Sequence, residues 1–148
     1  MAPNRITASL ELYHQAGRKI KESLIMTVEC TRDSYDKPRE STMMIEVRKN
    51  DEVIYKIASS EMEQIGHYEE ARFVGVRRLA PTIPRTFRIM FKFDQDFMNF
   101  LSLVDECNVT SGRFTDEKFD LLMDNLSKEL HEDHPKVSKL FHIELSQH

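Results

Sequence analysis

Cysteine is scarce in this sequence of 148 residues: Cys30 and Cys107 are the two. Two are too few for a disulfide framework or a cysteine-based zinc centre. Both fall on apolar faces, where a free cysteine acts as a small buried hydrophobe. Glycine is also sparse, with four residues. None stands in a G-x-x-x-x-G-K-S/T or G-x-G-x-x-G array, which removes the loops that cradle nucleotides. No G-x-S-x-G occurs, and neither cysteine has a recognisable partner, so nothing indicates nucleophilic catalysis. Apolar runs are a few residues long, far short of the roughly 20 that a membrane span needs. The opening MAPNRITASLEL lacks the apolar stretch of a secretory signal, so an intracellular protein is expected.

What is present is an ordinary globular composition. Apolar residues are 40% and charged ones 31%, which suits one domain with a core of its own and excludes a wholly disordered chain. The formal charge is −4, but its distribution is uneven. Residues 1–71 carry a net −3, residues 72–92 a net +6 and residues 93–148 a net −7. A basic band inside an acidic chain argues against general nucleic-acid binding and for a local patch that meets an acidic partner or a phosphate.

The first half alternates with the period of strands. Ile6, Ala8, Leu10 and Leu12 share one face. Leu24, Met26, Val28 and Cys30 form a second set, and Met43, Ile45 and Val47 a third. Val53, Tyr55 and Ile57 resume the pattern after Asn50-Asp51, a pair suited to a tight hairpin. The polar stretch 32–41, with Pro38, is the expected mobile loop. Residues 60–65 read as a short helical turn stopped by Gly66. Phe73, Val74 and Val76 suggest another strand, with Gly75 at a bulge or close contact. After Pro81 and Pro84, Phe87, Ile89, Phe91 and Phe93 alternate with Arg88, Met90 and Lys92.

The second half changes to the helical period. Asp94 is placed to cap a helix with an apolar face of Phe97, Phe100, Leu101, Val104 and Cys107, stapled by Phe93 and Met98. Thr115 caps a second helix, whose stripe is Phe119, Leu122, Met123, Leu126 and Leu130. Pro135 stops it. The tail 137–145 fits either a strand or a short helix.

Strands followed by helices give an α+β class. The order fits a pleckstrin-homology-like (PH-like) architecture: a bent antiparallel β-barrel of six to seven strands closed by a helix, with an additional C-terminal helix. Residues 1–110 would form the barrel and its closing helix, and residues 111–148 a helical extension packed on it or on a partner. The stretch 84–107 reads PRTFRIMFKFDQDFMNFLSLVDEC. Its Pro-Arg pair, its strand alternating arginine with aromatics and its helix ending near cysteine resemble one family. These are meiotic recombination accessory proteins, which have a PH-like N-terminal domain and support programmed DNA double-strand breaks. Pro84, Arg85, Arg88, Phe91 and Cys107 carry the likeness, and looser agreement in strand order extends it over 5–107. The resemblance implies a nuclear, non-enzymatic scaffold that binds partners through its PH-like surface and assembles through a C-terminal helical segment.

Three groups of residues are candidates for function. Arg77, Arg78, Arg85, Arg88 and Lys92 form the basic band. Arginine forks suit carboxylates and phosphates, and the net charge favours an acidic protein surface over DNA. The stripe Phe119, Leu122, Met123, Leu126 and Leu130 either packs on the barrel or docks into a partner or a second copy. Arg18, Lys19 and Lys21 would serve the alternative function, an adaptor that binds phosphoinositide or phosphopeptide. His131-Glu132-Asp133-His134 has neither the spacing nor the third ligand of a zinc site, so no metal and no cofactor are expected.

Overall fold

The structure, a computed structural model, describes residues 4–15, 18–32, 41–81, 85–107 and 109–128. The expectations for residues 33–40, for Pro84 and for the chain beyond residue 128, including Leu130, His131, His134 and the tail 137–145, lie outside the described residues. The fold is α+β. Its strands are β1 (Asn4–Gln15), β2 (Arg18–Ile20), β3 (Leu24–Arg32), β4 (Ser41–Lys49), β5 (Glu52–Ala58), β6 (Met62–Tyr68), β7 (Phe73–Arg78) and β8 (Thr86–Phe91). Helix α1 (Asp94–Glu106), strand β9 (Ser111–Arg113) and helix α2 (Asp116–Lys128) follow. One sheet runs β5-β4-β3-β1-β8-β7-β6-β9, with β2 added to β1. Its pairings are antiparallel except β6–β9, which is parallel. Among the described residues this path is not closed by hydrogen bonds. The expected six to seven strands become nine because β2 and β9, three residues each, join the longer ones.

β1 serves two neighbours in turn. It pairs with β3 over Asn4–Leu10 and with β8 over Leu10–His14. The register shifts between Leu10 and Leu12. An extra residue turns every later side chain to the other face. The expected single face Ile6, Ala8, Leu10 and Leu12 is therefore split. Ala8, Leu10 and Tyr13 join the main core, while Leu12 lies in a second cluster. A shift between Val47 and Arg48 acts likewise on β5. Tyr55 and Ile57 face the core, but Val53 is 44% exposed. The hairpin between β4 and β5 turns at Asn50 and Asp51, with φ of 50° and 67°, the positive values a two-residue turn requires.

The helical turn expected over 60–65 is replaced by a 3-10 turn at Ser59–Glu61 and strand β6. The Glu61 carboxylate accepts the Ala58 N–H at 2.8 Å, which caps the start of the turn. Pairing with β7 then decides the rest, burying Met62 and Ile65. Tertiary pairing overrides a weak local preference.

The main core lies between the sheet and α1. Met26, Val28, Met43, Ile45, Val47 and Ile57 from one end of the strand path meet Ile65, Val74, Val76, Phe87 and Ile89 from the other. Tyr55 on β5 and Phe87 on β8 have ring centroids 4.6 Å apart. Four strand spacings along a flat sheet would separate them by about 19 Å, so the sheet is strongly bent. Phe97, Phe100, Leu103 and Val104 of α1 fill the bend, and Phe91 meets Phe97 and Phe100 with ring centroids 5.8 and 5.4 Å away. Asp94 is the first helical residue rather than the cap, and its carboxylate takes Arg72 Nη1 at 3.3 Å. β8 ends at Phe91, so Phe93 and Met98 do not form a buried staple and remain 55% and 50% exposed.

The opposite face of the sheet is covered by α2. Thr115 caps it, its Oγ1 accepting the Lys118 N–H at 3.2 Å. Phe119 stacks on Tyr68 with ring centroids 4.1 Å apart and meets Phe73 edge-on at 5.3 Å. Leu122 is fully buried with Leu12, Phe73 and Phe114, and Met123 packs against that cluster. Of the two alternatives left open for the stripe, Phe119, Leu122 and Met123 follow the first, packing on the strands rather than serving as partner-binding residues. They pack on the chain's own sheet, where the apolar ground left by Leu12, Phe73 and Met90 needs a cover. The side chain of Leu126 lies outside the described residues. Leu122→Ala should lower unfolding free energy in urea by about 2–5 kcal/mol, as expected for a buried leucine. Leu121→Ala, on the exposed side of the same turn, should change it by less than about 0.5 kcal/mol.

Candidate interaction surface

Antiparallel pairing of β7 with β8 sets Arg77 opposite Thr86 and so gathers Arg77, Arg78 and Arg85. The Arg78 N–H donates to the Arg85 carbonyl at 2.6 Å. Glu63 on β6 stands between the guanidinium groups. Its Oε2 lies 3.1 Å from Arg77 Nε and 2.9 Å from Arg85 Nη2. Arg85 Nη2 also reaches the Arg78 carbonyl at 3.4 Å, and the Arg78 guanidinium sits 6.0 Å from the centroid of the Tyr55 ring. Two cations thus share one carboxylate, with Leu79, the residue after Arg78, exposed. The side chains of Arg77 and Arg85 are 23% and 29% exposed, that of Glu63 47%. Partly exposed ion pairs of this kind contribute about 0–1 kcal/mol. A carboxylate from another molecule can therefore compete with Glu63 at little cost to the fold. Glu63 is the member that sequence reading missed, because its partners lie 14 and 22 residues away.

The rest of the basic band is elsewhere. Arg88 is fully buried, which corrects its place in an accessible patch. Alternation set it opposite Phe87 and Ile89, but the outer face is covered here too. A cross-strand row runs Gly112, Gly66, Gly75, Arg88, His14 and Lys19, and all of it except Lys19 is buried. The three glycines carry no side chain, which leaves room on that face for a long one beside them. Arg88 Nη1 lies 3.3 Å from His14 Nδ1. A guanidinium only donates, so Nδ1 accepts and the imidazole proton sits on Nε2. His14 is held down to about 4 by burial first, then by the charges of Arg88 and Lys19.

Lys92 lies past the far end of β8, its N–H bonded to the Ser9 carbonyl at 3.0 Å. It lines a depression of about 720 Å³ with Lys21 and Arg48, but also with Glu11, Glu22 and Asp51. That balance of charge offers an anion little. Arg18 and Lys19 stand on β2, opposite Gln15 and His14, and do not line the depression. Of the three residues expected to form an anion site, Lys21 is the one that lines this depression.

Among the described residues no cluster of three or more His, Cys, Asp or Glu is arranged to hold a metal ion, and no helix is long and apolar enough to cross a membrane. The chain matches no known family model and no curated protein.

His14 predicts a pH dependence of stability. Its folded pKa lies below the unfolded value of 6.5, so the unfolded chain binds more protons between those values. The contribution is complete above about pH 6.5 and is lost as pH falls toward 4, on the order of 3 kcal/mol in all. His14→Gln keeps an acceptor for Arg88 but does not titrate. Urea unfolding across this range should show the loss in the native protein and a flatter profile in the variant.

Proposed function

We propose that this chain is a non-enzymatic PH-like scaffold that binds an acidic segment of a protein partner on Arg77, Arg78 and Arg85. The carrying observation is the sharing of Glu63 by Arg77 and Arg85 at 3.1 and 2.9 Å. The chain itself thus supplies the kind of group that a partner would present. Arginine forks bind carboxylates directionally, and Leu79 adds an apolar contact at the rim. The PH-like reading draws support from the strand order. Strands β1 and β3 to β8 bend around one core, and α1, directly after β8, fills it. The proposed setting is nuclear, as an accessory factor for meiotic DNA double-strand-break formation, and it rests on the resemblance of residues 84–107. An acidic chain with a local basic patch suits a protein partner better than DNA. The phosphoinositide alternative has less support, because the depression that holds Lys21 is lined by as many acidic as basic side chains.

The test is recovery of partners from native tissue with a tagged full-length chain and a variant carrying Arg77→Glu and Arg85→Glu. Meiotic break-formation proteins should co-purify with the native chain. Their recovery should fall at least about tenfold in the variant, equivalent to about 1.4 kcal/mol of binding energy, with little change in thermal midpoint. Equal recovery by a folded variant would reject the arginine surface. Recovery of membrane-associated signalling proteins instead would reject the meiotic setting.

A further inference from the structure

The two cysteines, unremarkable in the sequence, meet in the fold. Cys30 is on β3 and Cys107 is the residue that ends α1. They are 77 positions apart, yet their sulfurs lie 2.6 Å apart. Both are buried in the main core and both are free thiols. No other cysteine exists in the sequence to compete for either. The backbone holds Cys107 firmly, its N–H donating to the carbonyls of Leu103 and Val104 at 3.1 and 3.2 Å. Cys107 also lines a surface depression of about 270 Å³, together with Ser59, Met62, Glu63 and Thr110. Cys107 thus stands at the edge of the core, beside a depression wide enough for a small oxidant.

We propose that Cys30 and Cys107 form an oxidant-closed disulfide site that staples the end of α1 to β3. The oxidant class is a peroxide. The sulfur of Cys107 attacks one peroxide oxygen, the O–O bond breaks, and water leaves to give a sulfenic acid. The sulfur of Cys30 then attacks that sulfur, the S–O bond breaks, and a second water leaves. Two thiols and one hydrogen peroxide become one disulfide and two waters. Burial, and then the hydrogen bond with Cys30, push the Cys107 thiol up to about 12. The thiolate is the reactive form, so closure is slow at neutral pH and faster as pH rises. The bond constrains a long loop of the unfolded chain and fixes the helix that fills the bent sheet. In a reducing compartment the pair stays open as thiols.

The test uses the full chain, folded, with and without hydrogen peroxide, then unfolded in a thiol-alkylating reagent. After peroxide both thiols should be unavailable in a monomer. A non-reducing digest should join the Cys30 and Cys107 peptides, and the thermal midpoint should rise by several degrees. Reduction in denaturant should restore both thiols. Oxidation to sulfinic acid without a cross-link, disulfide-linked dimers, or a cross-linked monomer with an unchanged or lower midpoint would each overturn the proposal. Cys30→Ala should abolish the rise. The native chain alone decides the question if that variant does not fold.

Discussion

Strand β1 is hydrogen-bonded along both edges, to β3 by its first half and to β8 by its second. The shift between Leu10 and Leu12 lets one strand do both. Before it, Ala8 and Leu10 face inward. After it, Tyr13 faces inward and meets Tyr55 and Phe87. A strand without this irregularity would put Leu12 inside and Tyr13 outside, since alternation is strict in unbroken pairing. The bend that brings β5 over β8, the space α1 fills and the apolar outer ground that α2 covers all depend on it.

The sheet carries two apolar faces, and each has its own helix. α1 brings phenylalanines against Phe91 on the inner face, while α2 rests on Tyr68, Phe73 and Leu122's neighbours on the outer one. This two-sided cover explains why a charged residue such as Arg88 can be buried on the face that alternation assigns to solvent. Desolvating a guanidinium is costly unless it is hydrogen-bonded. His14, kept neutral by the same burial and by the nearby positive charge, supplies one acceptor. The other arginines remain at the strand ends, where Arg77 and Arg85 share the Glu63 carboxylate.

Much of the fold was legible. The spacing of Leu24, Met26, Val28 and Cys30, and of Met43, Ile45 and Val47, marks buried strand faces, and all of these residues lie in the main core. Asn50-Asp51 identifies a hairpin from side-chain chemistry alone. Phe97, Phe100 and Val104 mark the inner face of α1, and Thr115 the start of α2. Less of the site was legible. Arg77, Arg78 and Arg85 stand out by composition, but Glu63 and His14 find their partners across strands, and Cys30 meets Cys107 from sheet to helix. No local pattern encodes them, because each depends on register.

By itself the sequence determined the element types and most of their inner faces, since periods of 2 and 3.6 reflect local backbone geometry. It also determined the uneven charge and the absence of nucleotide and nucleophile motifs. Only the tertiary structure decided which charges are exposed, which helix stripe is consumed within the chain and which distant side chains meet. Those outcomes follow from register shifts in β1, β5 and β6 and from a bent sheet. A shift of one residue exchanges the faces of all that follows, and bending joins strands that sequence order keeps apart.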